Sequence, residues 1–243
     1  MVVFSWHAKV LLLLGFALIS LAALLLVLPM AQDQSYHHFA DGRELLGIAN
    51  FWNVVSNLPF LLIGAAGLRL RGPLSTRILF LGIFLVAFGS AYYHLQPGDD
   101  RLIWDRLPIT IAFMAIFANA IEERLSRRAG TILLWPLLAL GVVSLAVWQV
   151  TGDLRLYAWV QFFPVLGLLV LFALFPGPRG ASYWLVAIGL YAVAKAFELL
   201  DASLFAAGQV VSGHTLKHLF AAAACVCVFS YFRAQQPAHG RSA

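Results

Sequence analysis

The chain has 243 residues, of which 62% are hydrophobic and only 11% are charged. A soluble domain is about half apolar and about a quarter charged, so this composition excludes a soluble fold, a disordered chain and a coiled coil. Its 2 cysteines are too few for a disulfide-stapled scaffold. Because one membrane-spanning helix needs about 20 apolar residues, we predict an all-α integral membrane protein with seven or eight spans.

Eight apolar segments follow one another along the chain, separated by turn-forming or charged residues. They cover residues 10–30, 51–68, 78–95, 102–121, 131–150, 156–175, 182–200 and 212–232. The first is long for the apolar part of a signal peptide, so a retained anchor is favoured and cleavage stays the alternative. The predicted architecture is a membrane anchor or signal-like helix over 1–31, a seven-helix transmembrane bundle over 32–233 and a short cytoplasmic tail over 234–243.

Positive residues are distributed unevenly between the two sides of the predicted bundle. One side holds Lys9, Arg69, Arg71, Arg77, Arg124, Arg127, Arg128, Arg179, Arg233 and Arg241. The other side holds Arg43, Arg101, Arg106 and Arg155, together with several acidic residues. Because positively charged loops stay in the cytoplasm, both termini are predicted to be cytoplasmic. The net charge of +5 then reflects membrane topology, so no nucleic-acid partner is expected, and no pattern indicates a protein partner.

Five polar residues lie where the predicted helices should be apolar. Ser90 and His94 end the third apolar segment, four residues apart and therefore on one helical face. Asp105 opens the fourth segment, and His214 and His218 open the last one with the same spacing of four. All five fall at helix ends predicted to lie at the outer face, so they converge on one level of the bundle. Polar groups at membrane depth are costly and are functional candidates by default.

These residue types suit a catalytic zinc site. Histidines at i and i+4 present two imidazoles from one helix, and a third from another helix completes a three-histidine set with one position open for water. Asp105 is then placed to orient that water and carry its proton, and Ser90 to hydrogen-bond the oxygen of a carbonyl substrate. The alternative is that the histidines are interhelical hydrogen-bond partners without a metal.

Further polar residues lie near the end of the seventh segment and the start of the eighth. Lys195 and Glu198 are expected to pair on one helical face, and Asp201 follows them. The alternative for these three is a supporting role behind a zinc-binding histidine. Lys217 is expected to snorkel to the outer interface, and a retinal Schiff base on it, as in seven-helix pigments, is the less favoured alternative.

The remaining polar residues are interpreted as structural or solvated. Asn50, Asn53 and Asn57 share one face of the second segment, which favours interhelical hydrogen bonding over calcium or substrate contact. His37 and His38 fall in an outer loop and are expected to be solvated.

Five short stretches together resemble a known family. They read GIANFWNVVSNLPFLLIG, GSAYYHL, WDRLPIT, KAFELLDA and SGHTLKHL in chain order. The set resembles the alkaline ceramidases, within the wider superfamily of seven-helix membrane hydrolases that includes the progestin and adipoQ receptors. The resemblance implies zinc on His94, His214 and His218, catalytic water held by Asp105, and Ser90 near the substrate amide. It also implies a substrate that the residues alone do not indicate, namely ceramide, which is cleaved to a sphingoid base and a fatty acid.

The same resemblance implies a calcium site before the second apolar segment. Asp41 and Glu44 supply a first acidic pair, but Asn50 takes the place of the last acid and no third acid remains. Since Ca²⁺ prefers six to eight oxygen ligands, we expect calcium to bind weakly or not at all. The alternative is that Asp41 and Glu44 are solvated or cap the next helix.

The sequence therefore predicts an intramembrane zinc-dependent amidohydrolase acting on ceramide or a related N-acyl lipid. The extra first helix and the short loops suggest a bacterial member, placed in the inner membrane with its active site toward the periplasmic face. The alternative function is a non-catalytic seven-helix lipid receptor or lipid-binding protein with a structural zinc. Asp105 and Ser90 favour catalysis, because a structural zinc usually has four protein ligands and needs neither.

Overall fold

The computed structural model describes residues 4–177 and 180–236, and these form ten α-helices without a strand. The helices are α1 (Trp6–Ala23), α2 (Phe51–Val55), α3 (Leu58–Gly67), α4 (Leu74–Leu95), α5 (Asp99–Arg124), α6 (Arg127–Thr151), α7 (Arg155–Leu174), α8 (Ala181–Leu199), α9 (Asp201–Gly208) and α10 (Gly213–Ala234). Arg179 and Arg241, which contribute to the predicted charge asymmetry, lie outside the described residues, as does most of the predicted tail.

Seven of the described helices are long and apolar enough to cross a membrane. They are α1 with the turn that follows it, α4, α5, α6, α7, α8 and α10. The shorter apolar stretch Phe51–Gly67, formed by α2 and α3, adds an eighth element. The predicted all-α membrane fold, with an extra apolar helix at the N-terminus, is confirmed.

The second apolar segment differs from the prediction, because it forms two helices rather than one. Ser56 and Asn57 separate α2 from α3. Pro59 follows them and has no N–H with which to continue the helical hydrogen bonds across this point. The Ser56 hydroxyl and the Asn57 amide donate instead to the carbonyl of Asn53, at 3.3 and 2.8 Å. The break therefore has a local chemical cause, and it places Ser56 close to the histidines described below.

The chain after α1 crosses one end of the bundle. α1 itself packs on α7, where the Trp159 indole donates to the Ser20 hydroxyl at 3.1 Å. Beyond α1, the Arg155 guanidinium donates to the carbonyl of Val27 at 2.6 Å. We call residues 30–41, which follow, the cap segment. It contacts the end of the bundle where α4 and α8 end and where α5, α9 and α10 begin.

α4 and α5 pack closely at the end that carries the cap segment. A Cβ on Gly89 of α4 would lie only 2.0 Å from the carbonyl oxygen of Trp104 in α5, so glycine is required for this approach. The contact brings the last turn of α4 against the first turns of α5. His94 and Asp105 come from these two turns and therefore become neighbours.

Candidate metal centre and adjoining cavity

The three histidines that the sequence singles out meet in one buried cluster. His94 comes from the last turn of α4, and His214 and His218 come from the first turns of α10. None of the three is more than 5% exposed. One ligand nitrogen of each lies within 4.8 Å of the other two, and no other group of three or more metal-ligating side chains in the described ranges has this arrangement.

The geometry of the cluster fits a zinc ion. The Nε2 atoms of His94 and His214 are 3.3 Å apart, and two nitrogens on one tetrahedral zinc, each about 2.0–2.1 Å from the metal, are separated by about the same distance. His218 Nδ1 is hydrogen-bonded at 2.7 Å to the Ser56 hydroxyl, which leaves its Nε2 for a metal. Three imidazoles from two helices are the donor set of catalytic zinc with one open position.

Ser56 is a site residue that the sequence reasoning missed. Metal-binding histidines are usually oriented through a hydrogen bond on their second nitrogen, and Ser56 provides that bond to His218. His94 Nδ1, by contrast, has no hydrogen-bond partner in the described structure. Its ring packs instead against Phe39 of the cap segment, with centroids 4.7 Å apart, and the same phenyl ring lies 4.4 Å from His214.

The asparagines around Ser56 were the only sequence signal for this support. Asn53 Oδ1 accepts a hydrogen bond from the Thr215 hydroxyl at 2.9 Å, which is the interhelical role predicted for it. Asn57 lines the cavity described below, and its buried Oδ1 has no partner among the described residues. The signal that could have identified Ser56 is its position between Asn53 and Asn57 on an apolar segment.

Asp201 supports His214 through the backbone rather than through the imidazole ring. Its carboxylate accepts the His214 backbone N–H at 2.7 Å and the Ala40 backbone N–H at 3.0 Å. It therefore fills the role of an acidic group at the N-terminus of α10 and also ties the cap segment to that helix. Gly213 makes this approach possible, because a Cβ there would lie 2.2 Å from the carbonyl oxygen of Phe197.

Glu198 pairs with two lysines and connects them to the cap segment. It forms the predicted ion pair with Lys195 and a second one with Lys217 at 3.1 Å. The hydroxyl of Tyr36 donates to the same carboxylate at 3.0 Å, and burial together with the negative charge of Glu198 raises the pKa of Tyr36 well above its usual range. The expectation that Lys217 snorkels to the interface is wrong, because its side chain is 15% exposed and the ion pair holds it at the cavity.

A cavity of about 290 Å³ extends from the histidine cluster into the bundle. Ser90, Asp105, Lys217 and His218 lie at its polar end. Its apolar part includes Leu79, Ile83, Val86, Ile116, Ala224 and Val228. At a rise of 1.5 Å per helical residue, the lining of α10 beyond the histidines extends about 15 Å, which suits an extended hydrocarbon chain. The structure thus places Asp105 and Ser90 where an apolar channel meets the candidate metal centre.

Arg106 is not the exposed loop charge that the topology prediction assumed. It lies within α5, is 7% exposed and lines the same cavity. Its guanidinium carbon lies 4.4 Å from the ring centroid of Trp148 and 4.5 Å from that of Tyr157. Packing between aromatic faces, rather than hydration, accommodates its alkyl stem and its charge.

The three residues considered for calcium are engaged in other contacts. Both carboxylate oxygens of Asp41 accept guanidinium N–H groups of Arg43 at 2.7 Å, and these hydrogen bonds hold the pKa of Asp41 below its usual range. The Asn50 amide donates to the carbonyl of His94 at 2.9 Å, while Glu44 is exposed. Asp41 is only 1% exposed, so it is not a solvated loop acid either. These contacts favour structural roles over calcium binding.

The prediction that His37, in the cap segment, is solvated is wrong. Its side chain is 9% exposed, not solvated, and its ring nitrogens contact the Tyr93 hydroxyl at 2.9 Å and the Asp99 carboxylate at 3.0 Å. His38, for which the same solvated role was predicted, is exposed. His37 therefore attaches the cap segment to α4 and α5.

Comparison with protein families agrees with this arrangement. The ceramidase family profile matches residues 46–177, which is more than half of the 243 residues. The match contains Ser90, His94 and Asp105 and ends before α8, so the fold rather than the match joins His214 and His218 to them. Comparison with curated proteins gives no match. On the extent of the family match, the chain belongs to the ceramidase family.

Proposed function

We propose that the protein is an intramembrane zinc-dependent amidohydrolase. It cleaves the N-acyl amide of ceramide or a related N-acyl lipid, giving an amine lipid and a fatty acid. The observation that carries this proposal is the position of the buried three-histidine cluster at the polar end of an apolar cavity, beside Asp105 and Ser90. A lipid receptor with a purely structural zinc would be expected to supply a fourth ligand, whereas this cluster has three.

Each group around the cluster has a separate role in the reaction. Zinc held by the three histidines would serve as a Lewis acid that lowers the pKa of water and polarises a carbonyl. Asp105 takes the proton from the attacking water and delivers it to the leaving nitrogen as the C–N bond breaks. Ser90 donates a hydrogen bond to the amide oxygen as negative charge develops there. The acyl chain fills the apolar part of the cavity, which fixes the amide and excludes water.

The proposed location is a bacterial inner membrane, with both termini in the cytoplasm and the histidine cluster toward the periplasmic face. The loops at the opposite end of the bundle carry most of the positive charge, including Arg69, Arg71, Arg127 and Arg128.

The test of this proposal is the zinc content of detergent-purified protein, measured by mass spectrometry and followed by hydrolysis of a panel of N-acyl lipids. We expect about one zinc per wild-type chain and its loss, together with turnover, in the His214→Ala/His218→Ala variant. The matched control is His7→Ala/His38→Ala, which removes two exposed histidines and keeps the zinc. Folded wild type that takes up no zinc when zinc is supplied would rule out the mechanism.

A further inference from the structure

Arg106 is a buried positive charge at the cavity without an acidic partner. Among the described residues it forms no ion pair, although both carboxylates at the polar end of the cavity, Asp105 and Glu198, line the same space. Glu198 is instead shared by two lysines. A guanidinium at membrane depth is costly unless an anion or hydrogen-bond acceptors compensate it, so its placement requires an explanation.

The contacts that hold Arg106 leave one end of its guanidinium available. Trp148 and Tyr157 pack against it, and Nη2 donates to Gln32 Oε1 of the cap segment at 2.6 Å. All three of these partners are uncharged. The other terminal nitrogen, Nη1, is buried and has no hydrogen-bond partner in the described structure. The side chain is therefore oriented by its neighbours while one donor group remains unused beside the cavity.

The charges at the polar end of the cavity favour an anion. Three cationic side chains, Arg106, Lys195 and Lys217, face two carboxylates, those of Asp105 and Glu198. Uncharged histidines binding a divalent metal would add further positive charge. A negatively charged group on the ligand would balance this excess, and a guanidinium binds a carboxylate or a sulfonate through paired, charge-assisted hydrogen bonds.

From these observations we propose that the amine part of the substrate carries an anionic group that Arg106 binds. The substrate class is an N-acylated amino acid or a similar anionic amide lipid, and this inference rests on the proposed amidohydrolase function. The acyl chain occupies the apolar cavity, the amide lies at the histidine cluster and the anionic group meets Nη1 of Arg106. Water adds its hydroxyl to the acyl carbon and its proton to the nitrogen, so the products are a fatty acid and a free amino acid or its anionic analogue.

The test compares substrates that differ in one charge. Zinc-loaded wild type is given N-palmitoylglycine, its uncharged analogue N-palmitoylglycinamide, the sulfonate N-palmitoyltaurine and C16 ceramide, and released palmitate is measured. We expect kcat/KM for N-palmitoylglycine to exceed that for N-palmitoylglycinamide about tenfold or more, because a charge-assisted pair is about twice as strong as a neutral hydrogen bond. The sulfonate arm shows whether Arg106 selects carboxylates or anions in general.

Arg106→Gln should reduce that ratio to near one. Arg106→Lys, which keeps the charge but loses the two-pronged geometry, should give an intermediate ratio. The matched control is Arg101→Gln on the same helix, whose side chain packs on Tyr92 outside the cavity and which should keep the wild-type ratio. Because both substrates are measured on one preparation, the ratio does not depend on the fraction of folded protein.

The inference is overturned if wild type cleaves the uncharged amide or ceramide as well as N-palmitoylglycine, or if Arg106→Gln leaves the ratio unchanged. Failure of the amidohydrolase proposal looks different, because no member of the panel is then cleaved. In that case thermal stabilisation of the zinc-loaded protein by N-palmitoylglycine, lost in Arg106→Gln, still supports the anion site. No stabilisation of wild type, or equal stabilisation of both proteins, overturns it.

Discussion

The bundle has buried polar residues at both of its ends, and the two groups differ in what their polar atoms contact. At the end opposite the cap segment, the Asn119 amide donates to the hydroxyls of Ser75 and Thr76 at 3.1 and 2.9 Å. Ser75 donates to Glu122, and Thr131 donates to the same carboxylate at 2.7 Å. These side chains bind one another. Among the buried polar atoms of these five residues, only Oδ1 of Asn119 lacks a partner.

At the capped end, the polar atoms that lack partners converge on one place. Nδ1 of His94, Nη1 of Arg106 and Oδ1 of Asn57 have no hydrogen-bond partner in the described chain. Both Arg106 and Asn57 line the cavity that reaches the histidine cluster. Since buried polar groups are normally satisfied, two unused ones that line a single cavity beside the histidine cluster indicate a site for a ligand. At the opposite end, Nε and Nη2 of Arg124 also lack partners, but Arg124 and Asn119 do not line this cavity. Convergence on one cavity, rather than the number of unused polar atoms, therefore distinguishes the functional site.

Removal of one carboxylate at each end should give the largest difference. Asp105→Asn is expected to lower turnover about 10³-fold while zinc content stays near that of wild type, because proton transfer by a positioned side chain contributes about 10²–10⁴-fold. Glu122→Gln on the same helix removes a carboxylate that is held by Ser75 and Thr131, and should leave turnover within a few-fold of wild type. Turnover and zinc content of the two purified variants provide the measurement. Equal losses of turnover in both variants would mean that the carboxylates at the two ends do not differ in function.

The serines at the two ends provide the second comparison. Ser56→Ala removes the hydrogen bond to His218 and should weaken zinc affinity about 10–100-fold, the effect expected for a group that orients a metal ligand. Ser56→Thr keeps the hydroxyl and should restore affinity. Ser75→Ala should leave zinc affinity unchanged and lower the free energy of unfolding by about 1–3 kcal/mol, since it leaves buried partners of Ser75 unsatisfied. Zinc competition with a chelator and thermal unfolding distinguish these results, and wild-type affinity in Ser56→Ala would contradict the role given to Ser56.

The sequence predicted those features that depend on local pattern. Runs of about 20 apolar residues gave the spans, and helical spacing placed His214 and His218 on one face. The sequence did not predict features that depend on contacts between residues distant in the chain. The bonds from Ser56 to His218 and from Tyr36 to Glu198 each join residues 162 positions apart. Composition and periodicity carry no information on such pairs.

The errors on Arg106 and Lys217 have a shared cause. Both residues lie within the first turns of a helix, where a charged side chain can reach either water or the interior. A hydropathy pattern does not distinguish the two outcomes, and the snorkelling of charged side chains near helix ends favours the exposed one. The aromatic faces of Trp148 and Tyr157, and the carboxylate of Glu198, decide between them, and they come from other helices. A sequence read one segment at a time therefore misplaced the charges that now define the cavity.

Substitution of two glycines tests whether close backbone packing at the capped end is needed for stability and zinc binding. Gly213→Ala would place a Cβ 2.2 Å from the Phe197 carbonyl oxygen and 2.7 Å from the backbone of Asp201, so the start of α10 must shift. We expect a loss of about 1–3 kcal/mol in the free energy of unfolding, together with weaker zinc binding because His214 moves with the backbone. Gly189→Ala in α8 meets nothing within 4 Å and should be neutral or stabilise the helix by about 0.5–1 kcal/mol. Thermal unfolding and zinc content of both variants are the measurement, and a Gly213→Ala protein as stable as wild type would show that the close approach is not needed.

The smallest expected effect tests whether a charged residue at the capped end is functional because of its position or structural because it forms an ion pair. Asp153 lies in the loop between α6 and α7 at the capped end, but Arg155 binds its carboxylate at 2.7 Å and lowers the pKa of Asp153 from the usual 3.8 to about 2. A carboxyl group with a lowered pKa stabilises the fold above pH 4, and this contribution is lost as the pH falls through about 2. Asp153→Asn should therefore slightly lower Tm at pH 7 without changing turnover or zinc content, and the gap to wild type should narrow below pH 4. A melting series from pH 7 to pH 3 measures the gap, with Glu44→Gln as the exposed control. A loss of zinc or activity in Asp153→Asn would show that position at this end is sufficient for a functional role, whereas a small pH-dependent change in Tm alone would show that a satisfied charge remains structural wherever it lies.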